Sequence, residues 1–440
     1  MEFTFYKRSA SAALPKSSKY AAYLQPNNWD DFGHKTLFTL TIFDAQGKAL
    51  DIGSVKIGFS GQTKGWTDQS IPENFLTLPE NFFSLGQDAD YYSNLINQLP
   101  KNLVEIVLES LGDVAYSSDR LAVAQNESVF KNSLTRSVNR ATIDHQFRRI
   151  LRHEAPLTEY DFIYQRPLEE GDAKIELRFK VSPDSKPPSN IHILIGRNGA
   201  GKTTLLHNMA AALVSQGPDA GIGFFSVDSG VLSSTRMPDD YFAGVVSVSF
   251  SAFDNFSPLS SDSIKQSGVR YTYIGLKTSR YKSNDDILGL KNRDELCNDF
   301  RESLRVCLSL SAKKDRWVAA VKKLESDRNF AEMDLCQIAE AHTENRGESQ
   351  ALLSKASSIF NRMSSGHAIV LLTITKLVES VEEKTLVLMD EPESHLHPPL
   401  LSAFIRALSD LLVSRNGVAI VATHSPVVLQ EVPKSCVSII

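Results

Sequence analysis

Hydrophobic and polar positions divide the chain into three regimes. Residues 1 to about 60 are β-patterned: "TLFTLTIFDAQGKALDIGSVKIGF" holds two β-prone runs split by the turn "DAQGK", which predicts a hairpin. Residues 61–100 are rich in turn formers. From 88 to 153 the period becomes helical, with Leu103, Ile106, Val107 and Leu111 recurring at three- and four-residue spacing. Beyond 160, strands and helices alternate. "KIELRFKVSPDSKPPSNIHILIG" reads as strand, turn, strand, and a helix follows Gly201. "GIGFFSV" and "YFAGVVSVSF" read as buried strands, and 285–345 as a charged helical insert. A helix after "MSSGH", strand "TLVLMD", helix "PLLSAFIRALSDLLVSR" and strand "GVAIVATH" complete the pattern. Such alternation predicts an α/β fold with a mainly parallel sheet flanked by helices. The expected segments are a β-then-helical region over 1–155, a first core part over 156–284, the insert over 285–360 and a second core part over 361–440.

Composition narrows the function classes. The 440 residues suffice for two or three domains, and 42% apolar with 22% charged residues is ordinary for a soluble chain. A net charge of −5 excludes a molecule that is basic overall. Six basic residues (Lys131, Arg136, Arg140, Arg148, Arg149, Arg152) against one acid (Asp144) leave open a local DNA contact, with a solvated helix face as the plain alternative. Four scattered cysteines without a C-x-x-C pair exclude a cysteine zinc site and fit a reducing cytoplasm. No apolar run reaches the ~18 residues of a membrane span, and no signal-peptide core precedes the first strand.

Two stretches carry chemistry. "GRNGAGKT" at 196–203 fits G-x-x-x-x-G-K-[ST] between an apolar run and a helix. In that setting the N–H groups of Asn198, Gly199, Ala200 and Gly201 curl around phosphates at a helix N-terminus. Lys202 adds a point charge between the β- and γ-phosphates, Thr203 a hydroxyl ligand for Mg²⁺, and Thr204 reaches the α-phosphate. "TLVLMDEPESHLHP" then places Asp390 at a strand end, suited to the Mg²⁺ shell, and Glu391 beside it as a base for an attacking water. His395, His397, Asp390 and Glu393 are alternatively a set of transition-metal ligand types. His424 ends the next apolar strand, 34 positions after Asp390, where it can reach the γ-phosphate. Met363-Ser364-Ser365-Gly366-His367 is by itself a glycine turn ahead of a core helix; its donors also suit an anion.

Taken in order, GRNGAGKT, MSSGH, LVLMDEP, ESHLHP and VATHS resemble the ATP-binding cassette (ABC) ATPases, in the soluble branch with OLD- and RecF-like members. The resemblance covers about residues 190–426. It implies an ABC-type ATPase that binds ATP and Mg²⁺ in a head-to-tail homodimer, with Lys202, Glu391 and His424 catalytic. Ser364, Ser365 and Gly366 would contact the nucleotide of the second subunit. A narrower similarity, on "WDDFGHKTLFTL", "LPENFFSLGQ", "SVSFSAFDNFSP" and "SSGHAIVLLTITKLVE", is to the PtuA ATPases of Septu phage-defence systems. It implies a separate HNH nuclease partner of the PtuB kind and, in retron forms, a reverse transcriptase with its RNA–DNA hybrid. Other readings are a DNA-repair ATPase that binds DNA directly, a transporter energy subunit and a nucleotide-held scaffold. The cassette glutamine near residue 250 is missing; Ser251 and Asp254 stand in that stretch. The apolar ending "CVSII" reads as an unfinished strand, which predicts a natural chain continuing past residue 440.

Overall fold

The computed structural model describes residues 2–10, 12–140, 142–152, 159–166, 175–183, 185–197, 199–214, 221–228, 234–251, 258–259, 269–282, 285–344 and 350–440. The chain forms two compact units. One comprises Met1–Ala155 with Arg305–Asp315 and Ile338–Leu353; the other comprises Pro156–Leu304, Arg316–Gln337 and Ser354–Ile440.

The first unit holds a six-stranded sheet that contains the predicted hairpin. Leu37–Phe43 pairs antiparallel with Ala49–Phe59 across the "DAQGK" turn. Helix Lys101–Leu111 buries Leu103, Val107 and Leu111, the face its spacing predicts. It stops at Gly112, which takes the left-handed conformation (φ 64°) that a helix end favours. Of the basic residues between 131 and 152, Arg136 binds Asp31 at 2.8 Å, and Arg140 and Arg148 both bind Asp144, at 2.5 and 3.2 Å. These three serve internal pairs.

Asp113 is fully buried in this unit. Burial pushes its carboxyl up to about 6, although N–H groups of Tyr116 and Ala115 and the Tyr92 hydroxyl donate to it. A raised folded value means the folded state holds the proton more tightly than the unfolded chain. The resulting stabilisation is complete below the unfolded pKa and is lost as pH rises through about 6. Asp113→Asn should therefore remove about 1.5 kcal/mol of the stability decline between roughly pH 5 and pH 8, measured by urea unfolding. An unchanged slope would exclude Asp113 as its source.

The second unit carries a six-stranded sheet that is parallel throughout. In spatial order its strands are Arg270–Gly275, Gly244–Ser249, Thr385–Asp390, Val418–Thr423, Ile191–Ile195 and Val437–Ile439. Strands Thr385–Asp390 and Val418–Thr423 are buried along nearly their whole length, as β strands covered on both faces must be. Leu386, Leu388, Val418 and Ile420 share a core with Leu205 and Met209 of helix Lys202–Val214. Helix Ser365–Ser380 packs against strands Gly244–Ser249 and Arg270–Gly275. This is the α/β P-loop ATPase fold. "GIGFFSV" departs from the parallel core: Phe224–Asp228 lies in a separate antiparallel sheet with Ile175–Val181, Tyr160–Arg166 and Ser234–Arg236. The helical region also begins later than expected. Asp285–Leu290 pairs antiparallel with Lys277–Lys282, and helix starts at Arg293. Among the described residues no helix is long and apolar enough to cross a membrane.

Candidate nucleotide-binding site

Strand Ile191–Ile195 delivers the chain into the loop at 196–201, and helix Lys202–Val214 leaves it. Gly199 (φ 84°) and Gly201 (φ 82°) adopt left-handed backbone, open to glycine without strain. A Cβ at either would meet nothing within 4 Å among the described residues. Asn198 lies outside the described residues. Lys202 is buried, and its Nζ donates to the carbonyls of Gly196 (3.1 Å) and Arg197 (3.2 Å). The ammonium is therefore held over the loop that it completes.

Thr203 Oγ1 donates to Asp390 Oδ2 at 2.7 Å across 187 residues of sequence. The other oxygen, Asp390 Oδ1, is buried without a hydrogen-bond partner. Burial pushes the Asp390 carboxyl up to about 6; Glu391 and Glu393 push the same way, while the Thr203 bond and Lys202 oppose them. A hard divalent cation fits here, because it takes oxygen ligands and favours the ionised carboxylate. Thr203 Oγ1 and the orphaned Oδ1 are the two atoms that would hold it. Beside this pair lies a cavity of about 50 Å³, walled by Ser249, Pro258, Tyr271 and Tyr273. Of the residues standing where a cassette has its glutamine, Asp254 falls outside the described residues.

Parallel register sets Asp390 opposite Ala422, so the chain exits the two strands side by side. Glu391 N–H donates to Ala422 O at 2.9 Å, and Glu391 itself sits in left-handed backbone (φ 42°, ψ 60°). Such a conformation in a side-chain-bearing residue costs on the order of 1–3 kcal/mol and concentrates at functional sites. His424 Nδ1 lies 3.7 Å from Glu391 Oε1 and 3.2 Å from Glu393 Oε1. Glu393 is nearly buried, and its Oε1 also accepts from Thr423 Oγ1 (2.6 Å) and His424 N (2.8 Å). Glu393 thus orients His424, a role the sequence pattern did not reveal.

The metal set of His395, His397, Asp390 and Glu393 is not assembled. Asp390 turns to Thr203 and Glu393 to His424, His395 Nε2 lies 3.4 Å from Phe250 O, and His397 pairs with Asp327. Their strands and turns send these side chains in different directions.

Ser364 caps helix Ser365–Ser380, accepting from His367 N, and both serines are exposed. Gly366 is buried; a Cβ there would collide with the carbonyl oxygen of His395. Arg293 bonds the carbonyls of Phe360 (3.2 Å), Asn361 (3.0 Å) and Met363 (2.5 Å), closing the helix before the turn. Sequence gives no sign of this Arg293 contact.

The chain is 44% identical to "Protein ea59" of Escherichia phage lambda over 448 residues, 99% of this chain and 83% of ea59. The chain belongs to the ea59 family. Residues 242–430 of this ea59-family chain match the model described as "AAA domain, putative AbiEii toxin, Type IV TA system", so it carries an AAA-family ATPase domain. Solved structures similar in part include UvrA2 from Deinococcus radiodurans (15% identity, 65% of this chain and 37% of that one, TM-score 0.29). The ATP-binding cassette MJ1267 of an ABC transporter is another (14%, 62% and 85%, TM-score 0.29). At these scores the fold of the ea59-family chain rests on its own strand order and register.

Proposed function

We propose that this protein is an ATP-hydrolysing switch that pairs with a second copy of itself when ATP is bound. One observation supports this reading most directly: Thr203, Asp390, Glu391 and His424 converge where three adjacent parallel strands end. The loop N–H groups at 199–201, Lys202 and Thr204 would cradle the phosphates, and Thr203 with Asp390 would hold Mg²⁺. Bound Mg²⁺ supplies charge neutralisation on the phosphates. Glu391 accepts the proton of the attacking water, and its neighbour His424, oriented by Glu393, faces the terminal phosphate. Ser364, Ser365 and Gly366 belong to a different turn, packed on His367 and the His395 carbonyl. In this reading that turn serves the nucleotide of the other subunit, which is why two copies are needed. The similarity to PtuA supports a separate HNH nuclease in phage defence as the governed partner, with a reverse transcriptase and RNA–DNA hybrid in retron forms.

Purified protein should hydrolyse ATP only with a divalent cation. Lys202→Ala should lower nucleotide affinity and reduce turnover by roughly 100-fold, the scale for losing one electrostatic stabiliser of the reacting phosphate. Turnover by Lys202→Ala equal to wild type would sink the assignment. Copurification with an HNH nuclease tests the partner separately.

A further inference from the structure

The geometry points to Asp327 as a positioning residue of the MSSGH turn. Acting through His367, it turns the Ser364 hydroxyl inward and leaves Ser365 to present the hydroxyl donor on that turn. This rests on the reading that the turn meets an ATP phosphate, and Asp327 lies outside every motif of the chain.

Asp327 is 7% exposed and caps helix Arg328–Met333, its Oδ1 accepting from Asn329 N (3.0 Å) and Phe330 N (3.3 Å). The same carboxylate meets two imidazoles. His367 Nε2 lies 3.1 Å from Oδ1 and His397 Nε2 lies 3.2 Å from Oδ2. Burial alone would raise this carboxyl, yet the donors from His367, Phe330 and Asn329 hold it below the usual range. The carboxylate is therefore an acceptor only, and each facing imidazole nitrogen must supply a proton.

The remaining ring nitrogens follow from that. His397 Nδ1 accepts the Leu400 N–H at 3.3 Å, which by itself requires the proton on Nε2. The ligand-type atoms of Asp327, His367 and His397 lie within 4.8 Å of one another, close enough for a metal ion. A proton on His397 Nε2 occupies the lone pair such an ion would need, so the cluster reads as a hydrogen-bonded clamp. As a neutral imidazole donating from Nε2, His367 has an acceptor at Nδ1. Ser364 Oγ lies 2.6 Å from that Nδ1 and has the one proton available, so Ser364 donates to His367. A hydroxyl whose only proton points at an imidazole cannot donate to a phosphate. The exposed Ser365 hydroxyl and the N–H groups of Ser365 and Gly366 remain for an anion; the His367 N–H is taken by Ser364. The clamp also ties the turn to the segment holding His397, against whose neighbour His395 the backbone of Gly366 is pressed.

The test combines serine variants with spectroscopy on the full chain. In the Glu391→Gln background with ATP and Mg²⁺, Ser365→Ala should weaken pairing by roughly tenfold or more, the scale of losing a hydrogen bond to a charged group. Ser364→Ala should weaken it by less than Ser365→Ala. Asp327→Asn keeps a capping oxygen but presents an amide N–H to one imidazole. It should weaken pairing while ATP affinity of the monomer stays unchanged. Histidine-selective ¹⁵N spectra should show His367 and His397 both protonated at Nε2 in the wild type, with a change of tautomer at one of them in Asp327→Asn. Equal or larger loss in Ser364→Ala, or a His367 carrying a proton on Nδ1, alone or as the imidazolium, would overturn the proposal. If the Glu391→Gln protein does not pair with ATP, the pairing function fails, and the ¹⁵N spectra still decide the clamp.

Discussion

Glu391→Gln is expected to stop turnover while leaving ATP bound and the protein paired. A glutamine keeps the size of the side chain and the Glu391 N–H bond to Ala422 O, so the left-handed turn survives. It removes the only function the Proposed site needs from this position, acceptance of a proton. General-base catalysis contributes about 10²–10⁴-fold, and the turnover number should fall within that range. Mg²⁺-dependent ATP affinity should stay equal or rise, because Glu391 is one of the groups that raise the Asp390 carboxyl. With that charge gone, Asp390 ionises more readily and holds a cation better. Light scattering with ATP should show a doubled mass for the variant, persisting over the time in which wild type returns to monomer. Unchanged turnover would show that Glu391 is not the base, and a monomeric variant under saturating ATP would remove the pairing function.

Ser365→Arg is the second large effect. Ser365 is exposed at the first position of helix Ser365–Ser380, so the change disturbs little of the fold. A cation at a helix N-terminus opposes the dipole by about 0.3–1 kcal/mol, small against the stability of a domain. In the proposed pair, where this surface closes on a phosphate, the same side chain fills the space and ties up the donors. ATP binding by the monomer should match wild type, ATP-driven pairing should be lost, and hydrolysis should fall with it. Retained pairing would show that the turn lies away from the contact between copies.

Motif chemistry was legible in the sequence to the extent that it was local. Gly199 and Gly201 announce a loop of unusual backbone because few other residues adopt positive φ, and the structure shows both there. The apolar runs ending in Asp390 and Thr423 announce buried parallel strands, and parallel register then brings their ends together. The helix expected after MSSGH begins within it, at Ser365, with Ser364 as its cap. "GIGFFSV" shows the limit: a short apolar run does not say which sheet it joins, and this one joined the antiparallel sheet. The charged helical region shows it again. Its amphipathic helices are readable, but their division between two compact units depends on which apolar faces meet.

The sequence by itself determined the phosphate loop, the acidic strand end and the alternation that builds a parallel sheet. Each is written in neighbouring residues, through backbone freedom, side-chain period or a cap. Only the tertiary structure decided which side chains act together. Glu393 on His424, Arg293 on the carbonyls before the turn, and Asp327 between two histidines join residues 31 to 70 positions apart. Such partners carry no periodic or local signal, because an ionic or hydrogen-bonded contact needs only proximity and direction, and those are set by how the elements pack.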